Sequence, residues 1–172
     1  PGEACDYGRR PEPPGQGPVI AKISTDYALI RSIFTHSAVW PYVCDDASAD
    51  AEAFQPNAGD GRCYVVPEID GVPIGCFALH DCNGATVELH TAILPEYRGE
   101  GTQAAFAALV ELVRAELPAV RRIRTWVPDF NKPAFKAALH AGMTHCGTEA
   151  ASFLRFGALH DLHLFGVSIP CP

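Results

Sequence analysis

Thr91-Ala92-Ile93-Leu94-Pro95-Glu96-Tyr97-Arg98-Gly99-Glu100-Gly101-Thr102-Gln103-Ala104-Ala105-Phe106 is where the sequence changes period. Upstream, Ala85–Leu94 reads as a strand. Downstream, Ala105, Ala108, Leu109, Leu112 and Val113 recur at helical spacing and predict a helix over Thr102–Glu116, ended by Pro118. Between them lies a glycine-bearing turn at a helix N-terminus. Exposed N–H groups and the positive end of the helix dipole make such a turn an anion site, best suited to phosphate. Arg98 can add a charge-assisted hydrogen bond to the same anion. A plain strand-to-helix turn, with glycines for clearance alone, is the other reading of these residues.

Working outward, the segment before the loop is a meander. Val19–Ile23 reads as a first strand, and Thr25 or Asp26 caps a helix carrying Leu29, Ile30 and Ile33. His36–Gly61 reads as loop with a short helix near Ala47–Phe54. Cys63–Ile69, Pro73–His80 and Ala85–Leu94 are strands joined by the hairpin signals Asp70-Gly71 and Asn83-Gly84. After the first long helix, Arg121–Val127 alternates as a strand. Asn131 and Pro133 open a helix that runs to about Ala141, with Gly142 past its end. Met143–Phe153 and His160–Ile169 complete an α/β domain with a mixed sheet.

The chain has 172 residues, 48% of them apolar and 19% charged, which is a globular balance. Its formal net charge of −7 argues against nucleic acid or an anionic membrane as partner, since both need a basic footprint. No apolar run is long enough to span a bilayer, and no signal peptide is evident. Pro1–Pro18 is expected to be a disordered leader and 19–172 one domain. The seven cysteines contain no Cys-x-x-Cys pair and are read as reduced thiols of a cytoplasmic protein.

Three phosphate-binding loops compete for the turn. A Walker loop needs Gly-Lys followed by Ser or Thr, which is absent. Gly99-Glu100-Gly101-Thr102-Gln103-Ala104 matches a dinucleotide fingerprint literally, but a hairpin meander precedes it where βαβ units belong. The third candidate rests on two blocks. Ile93-Leu94-Pro95-Glu96-Tyr97-Arg98-Gly99-Glu100-Gly101 resembles the pyrophosphate motif of the GNAT-type N-acetyltransferase superfamily. Asn131-Lys132-Pro133-Ala134, closed by Gly142-Met143, resembles that family's second motif. The resemblance covers about Val19–Ile169. His36–Asp46 and Glu88–Arg98 further resemble phage-associated members of unassigned substrate.

The resemblance implies a mixed, mostly antiparallel sheet of six to seven strands flanked by about four helices. It implies acetyl-CoA as co-substrate and a primary amine of a small molecule or protein as acceptor; many members are homodimers. Pantetheine would pair with backbone near Ile93 and Leu94, and the pyrophosphate would sit on the N–H groups of Arg98, Gly99, Glu100, Gly101, Thr102 and Gln103, beside Tyr97. Asn131 and Ala134 would line the pantetheine channel. Two residues depart from the family pattern. Gln103 stands where a third small residue is usual, and Ala138 stands where many members carry a proton-donating Tyr. A catalytically degenerate CoA-binding protein is therefore the alternative, with a nucleotide-binding regulator behind it.

Acetyl transfer needs the amine neutral, hence a general base. Glu88 and His90 are two apart on a strand, share a face and are the candidates. Trp40, Asp45 and Asp46 form an aromatic-acidic group suited to holding an ammonium, or else a solvated cap before Ala47. His160 and His163 fall on opposite faces of a strand, so no metal is expected. Arg121, Arg122 and Arg124 read as a solvated strand face or as neighbours of the CoA phosphates.

Overall fold

The computed structural model describes residues 17–48, 50–57, 59 and 61–170. Nearly all of the expected leader lies outside that set, as do Cys5 and Cys171. Strand β1 (Val19–Ile23) is followed by α1 (Tyr27–Phe34). Asp26 caps α1, its carboxylate accepting the Leu29 N–H at 3.0 Å, and Ile30, Ile33 and Phe34 are buried. A four-residue helix α2 (Trp40–Val43) comes next, with Pro41 in its first turn.

Among the described residues of 47–54 the expected helix does not form, and turns take its place. The chain closes a single turn in which the Asp50 carbonyl accepts the N–H groups of Ala53 and Phe54 at 2.9 and 3.1 Å. The Arg31 guanidinium then ties this turn to α1, donating to the otherwise unpaired carbonyls of Ala51, Glu52 and Phe54 at 3.1, 2.7 and 3.0 Å.

The meander comprises β2 (Arg62–Ile69), β3 (Val72–Pro73), β4 (Gly75–Asp81) and β5 (Thr86–Ile93). Asp70 and Gly71 both have positive φ, 51° and 79°, as a tight hairpin turn requires. The expected strand Pro73–His80 is broken at Ile74. That residue gives its N–H to Pro67 and its carbonyl to Leu94, so it serves two neighbours at once. The break raises the strand total from the expected six or seven to eight. Then follow α3 (Glu100–Glu116), β6 (Arg122–Pro128), α4 (Lys132–His140), β7 (Thr144–Arg155) and β8 (Ala158–Ser168).

The sheet order is β1-β2-β4-β5-β6-β8-β7, with β3 on β2. All neighbours are antiparallel except β5 and β6, which are joined by the α3 crossover. Apolar clusters cover both faces. On the rear face Val65, Phe77, Leu89, Ile123 and Phe165 pack with Leu109 and Val113 of α3. On the front face Tyr64, Val66, Cys76 and Ala92 pack with Ile30, Ile33 and Phe34 of α1. Among the described residues no helix is long and apolar enough to cross a membrane.

Gly75 sits where two strands touch. A Cβ there would lie 2.5 Å from the Ala92 carbonyl oxygen and 3.0 Å from the Ile93 Cα, both backbone atoms that cannot swing aside. Gly75→Ala is expected to cost about 1–3 kcal/mol as an overpacking change. The check is a urea titration, in which the midpoint falls with the slope unchanged.

Candidate active site

The site starts where β5 and β6 part. Their parallel pairing lasts only from Thr86–Arg122 to Glu88–Arg124. The Thr125 hydroxyl, donating to the Leu89 carbonyl at 2.8 Å, bridges the two strands just past the last pair. Beyond it the strands diverge and leave a V-shaped gap. The hairpin phase fixes which groups face the gap. Cys82 donates to Thr86 and Leu94 donates to Ile74, so even-numbered residues of β5 bond to β4. Odd-numbered Thr91 and Ile93 turn their backbone toward the departed β6.

Leu94, expected beside the ligand, has both backbone groups engaged. Its N–H goes to Ile74 and its carbonyl accepts from Tyr97. Ile93 keeps its place, though its carbonyl accepts from Arg98 Nε at 3.3 Å. Thr91, which sequence reasoning did not single out, faces the same edge, and the phase set by the Asn83-Gly84 turn was the signal for it.

The loop after β5 makes one 3-10 turn over Pro95–Tyr97. Gly99 then takes φ 89° and ψ −118°, a conformation open to glycine, and α3 starts at Glu100. Thr102 and Gln103 return their N–H groups to the Gly99 carbonyl at 3.1 and 3.3 Å, and Arg98 gives its own to Pro95. That leaves the N–H groups of Gly99, Glu100 and Gly101 without an acceptor among the described residues. Three adjacent donors at the start of a 17-residue helix form a cradle of the kind that suits an anion. The Arg98 side chain does not join them. Its Nη2 donates to the Ala38 carbonyl at 2.6 Å, tying the loop to the segment after α1. Tyr97 is half-buried against the rear core, and Gln103 is exposed.

On the front face at the apex of the gap stand Glu88 and His90, brought together as their spacing predicted. Glu88 Oε1 is 3.5 Å from His90 Nε2, and Glu88 Oε2 accepts from Arg124 Nη2 at 3.1 Å. His90 keeps 54% of its side-chain surface open, yet enough protein surrounds it that desolvation lowers its pKa. The charge of Glu88 opposes that shift, and His80 and Arg62 add to it.

The three residues after α1 do not converge. Trp40 packs on Phe54 with ring centroids 5.5 Å apart. Asp45 accepts from the Ser48 hydroxyl and the Ala47 N–H. The Asp46 carboxylate crosses to the tip of the β7–β8 hairpin, accepting from the N–H groups of Phe156 and Gly157 at 3.0 and 2.7 Å and from Arg155 at 3.3 Å. These donors, led by the Gly157 N–H, hold its pKa below the usual carboxylate value.

His160 and His163 point to opposite faces. His160 Nδ1 is 2.8 Å from Asp129, and His163 stacks edge-on against Phe135 of α4. Arg121 bonds the Pro118 carbonyl, apart from Arg122 and Arg124 on the strand.

Strand divergence beside a glycine-opened helix N-terminus agrees with the comparisons. The sequence pattern of the acetyltransferase (GNAT) family matches residues 27–143, more than half of the chain. The chain belongs to this family. No curated protein matches it in sequence. Among solved structures it is similar to spermidine N-acetyltransferase from Vibrio cholerae in complex with CoA and spermine, with a TM-score of 0.71 at 15% identity, covering 88% of this chain and 95% of that one. It is also similar to yncA from Salmonella typhimurium, with its cofactor acetyl-CoA: TM-score 0.68, 18% identity, covering 88% and 94%. A GNAT-family acetyltransferase from Streptococcus pneumoniae gives a TM-score of 0.66 at 14% identity, covering 88% and 99%. At these identities the likeness shows the fold.

Helix α4 follows β6, the strand on the gap's far side. Asn131 caps it, its side-chain oxygen accepting the Ala134 N–H at 3.2 Å, and Ala134 packs against the rear core. Ala138 is buried at 7% exposure, so that place offers no phenol to the gap.

Gly99→Ala tests the cradle. An alanine held at φ 89° carries about 1–3 kcal/mol of strain. CoA affinity, measured by titration calorimetry, is expected to fall by about tenfold or more. Unchanged affinity would show that this loop does not hold the pyrophosphate.

Proposed function

We propose that the protein transfers an acetyl group from acetyl-CoA to a primary amine. The observation that carries this reading is the gap between β5 and β6. It has three free N–H groups at its mouth and a Glu88–His90 pair at its apex. The family supports it, as do the CoA- and acetyl-CoA-bound neighbours. The residues fit the ligand on the structure's own terms. Gly99 opens the loop, the first turn of α3 supplies donors, and Thr91 and Ile93 offer an unpaired strand edge to which amide groups can add as a further strand.

Bound acetyl-CoA supplies an activated thioester. The N–H groups of Gly99, Glu100 and Gly101 bind the pyrophosphate, and the edge of β5 orients the pantetheine arm. His90 accepts the proton of the incoming ammonium, either directly or through one water. Glu88, fixed by Arg124, orients the His90 ring and balances its charge once it is protonated. Trp40 and Asp45 flank the acceptor side. Asp46 acts there by holding the β7–β8 hairpin rather than by touching the amine. The five described cysteines are free thiols, which suits a cytoplasmic setting. A second reading, a CoA-binding protein without turnover, is favoured by one observation: the buried Ala138 leaves the departing thiolate without the usual phenol.

Acidity separates the two. His90 works as a base only when neutral, and its pKa lies below the ordinary 6.5. In kcat/KM against pH, the acid limb that disappears in His90→Gln should therefore have an apparent pKa below 6.5. Glu88 raises that pKa, so Glu88→Gln should move the limb further to the acid side. His90→Gln should slow turnover by about 10²–10⁴-fold while acetyl-CoA affinity is kept. A limb above 6.5, or one that ignores Glu88, removes His90 from the role. Tight CoA binding with no turnover on any amine supports the second reading.

A further inference from the structure

The front face at the apex is basic where an amine would dock. One row across the sheet reads Arg62, His80, Glu88, Arg124 and Gly166, each in register with the next. Arg122 stands two residues before Arg124 and shares its face. Glu88 is the one carboxylate in this row; its Oε2 accepts from Arg124 at 3.1 Å and its Oε1 lies 3.5 Å from His90 Nε2. A face built to hold a polyamine would present free carboxylates there.

The two arginines are short of acceptors. Arg124 Nε is buried without a hydrogen-bond partner among the described residues. Arg122 Nη2 has the Cys146 thiol at 3.1 Å, and sulfur is a weak acceptor. Gly166 matters here as well. Any side chain at that position would collide with the Arg122 guanidinium, so the glycine lets Arg122 lie across β8 beside Arg124. Half-exposed guanidinium groups with donors to spare can take an anion, and the planar fork matches a carboxylate. Strand spacing puts Arg124 about 8 Å from His90, measured diagonally between adjacent strands. That span suits a molecule whose amine and carboxylate are a few bonds apart. The chain's overall charge of −7 favours cations at a distance, where salt screens it, whereas these guanidinium groups act at contact.

We propose that the acceptor is an amine that also carries a carboxylate, of the amino-acid type, with the carboxylate held by Arg122 and Arg124 and the amine at His90. This rests on the transferase reading of the same site.

The test uses matched pairs that differ in the carboxylate alone: arginine and agmatine, lysine and cadaverine, histidine and histamine, with spermidine beside them. The carboxylated member of each pair is expected to show kcat/KM about tenfold higher or more, as one charge-assisted fork would supply. Arg122→Gln should bring the pair members close together by raising KM for the carboxylated one. Arg122→Lys should restore part of the preference, and both variants should keep wild-type acetyl-CoA affinity as the check on folding. Preference for the decarboxylated amines or spermidine overturns the proposal, as does an Arg122→Gln effect equal on both members. Calorimetry with the N-acetylated amino acids reads the anion site without turnover. Binding that Arg122→Gln abolishes, with no amine acetylated, keeps the carboxylate site and sinks the transferase reading. Absence of both binding and turnover sinks both.

Discussion

Three residue pairs hold β5 to β6, and the rest of the molecule depends on how soon that pairing stops. A parallel pair needs a crossover, so α3 must lie between these strands in sequence and on the rear face in space. Its N-terminus therefore opens at the mouth of the gap. Had the pairing run on past Glu88, Thr91 and Ile93 would bond to β6 and the edge offered to an extended ligand would vanish. The rear cluster around Leu109, Ile123 and Phe165 packs beneath the paired end and reaches Ile93 and Val127 on the diverged ends.

The fold was legible wherever local chemistry decides. β1 lies at Val19–Ile23 as read, since its boundaries depend on nearby turn residues. Asn131 caps α4 as read, because the cap is a contact three residues long. The failures have non-local causes. The single turn that stands where a helix was expected near Ala47–Phe54 is tied to a guanidinium from α1, more than twenty residues away in sequence. Ile74 breaks its strand because it bonds to Pro67 and to Leu94 at once. α3 begins two residues early because Glu100 and Gly101, which read as loop, complete its first turn.

The candidate site divides in the same way. Period two puts Glu88 and His90 on one face, and that needs no knowledge of neighbours. The partner of Glu88 stands 36 residues away, and only the register of two strands brings Arg124 to it. Arg98 and Asp46 show the converse. Each carries a charge that the sequence offers to a ligand, and each uses it on the protein's own backbone, at Ala38 and at Phe156–Gly157. Charge type was readable from the sequence, whereas whether the charge was already used was not.

The Asp46 clasp also bears on the order in which the chain can assemble. It joins residues 110 and 111 positions apart, so it closes a far longer loop than any hairpin or cap in the molecule. Closure entropy makes such a contact a late event, formed after the sheet has brought its ends together. The clasp fastens the hairpin tip to the segment after α2, so these two segments reach their final relation last. A growing chain on the ribosome can complete α1 and the meander long before it has anything for Asp46 to grip.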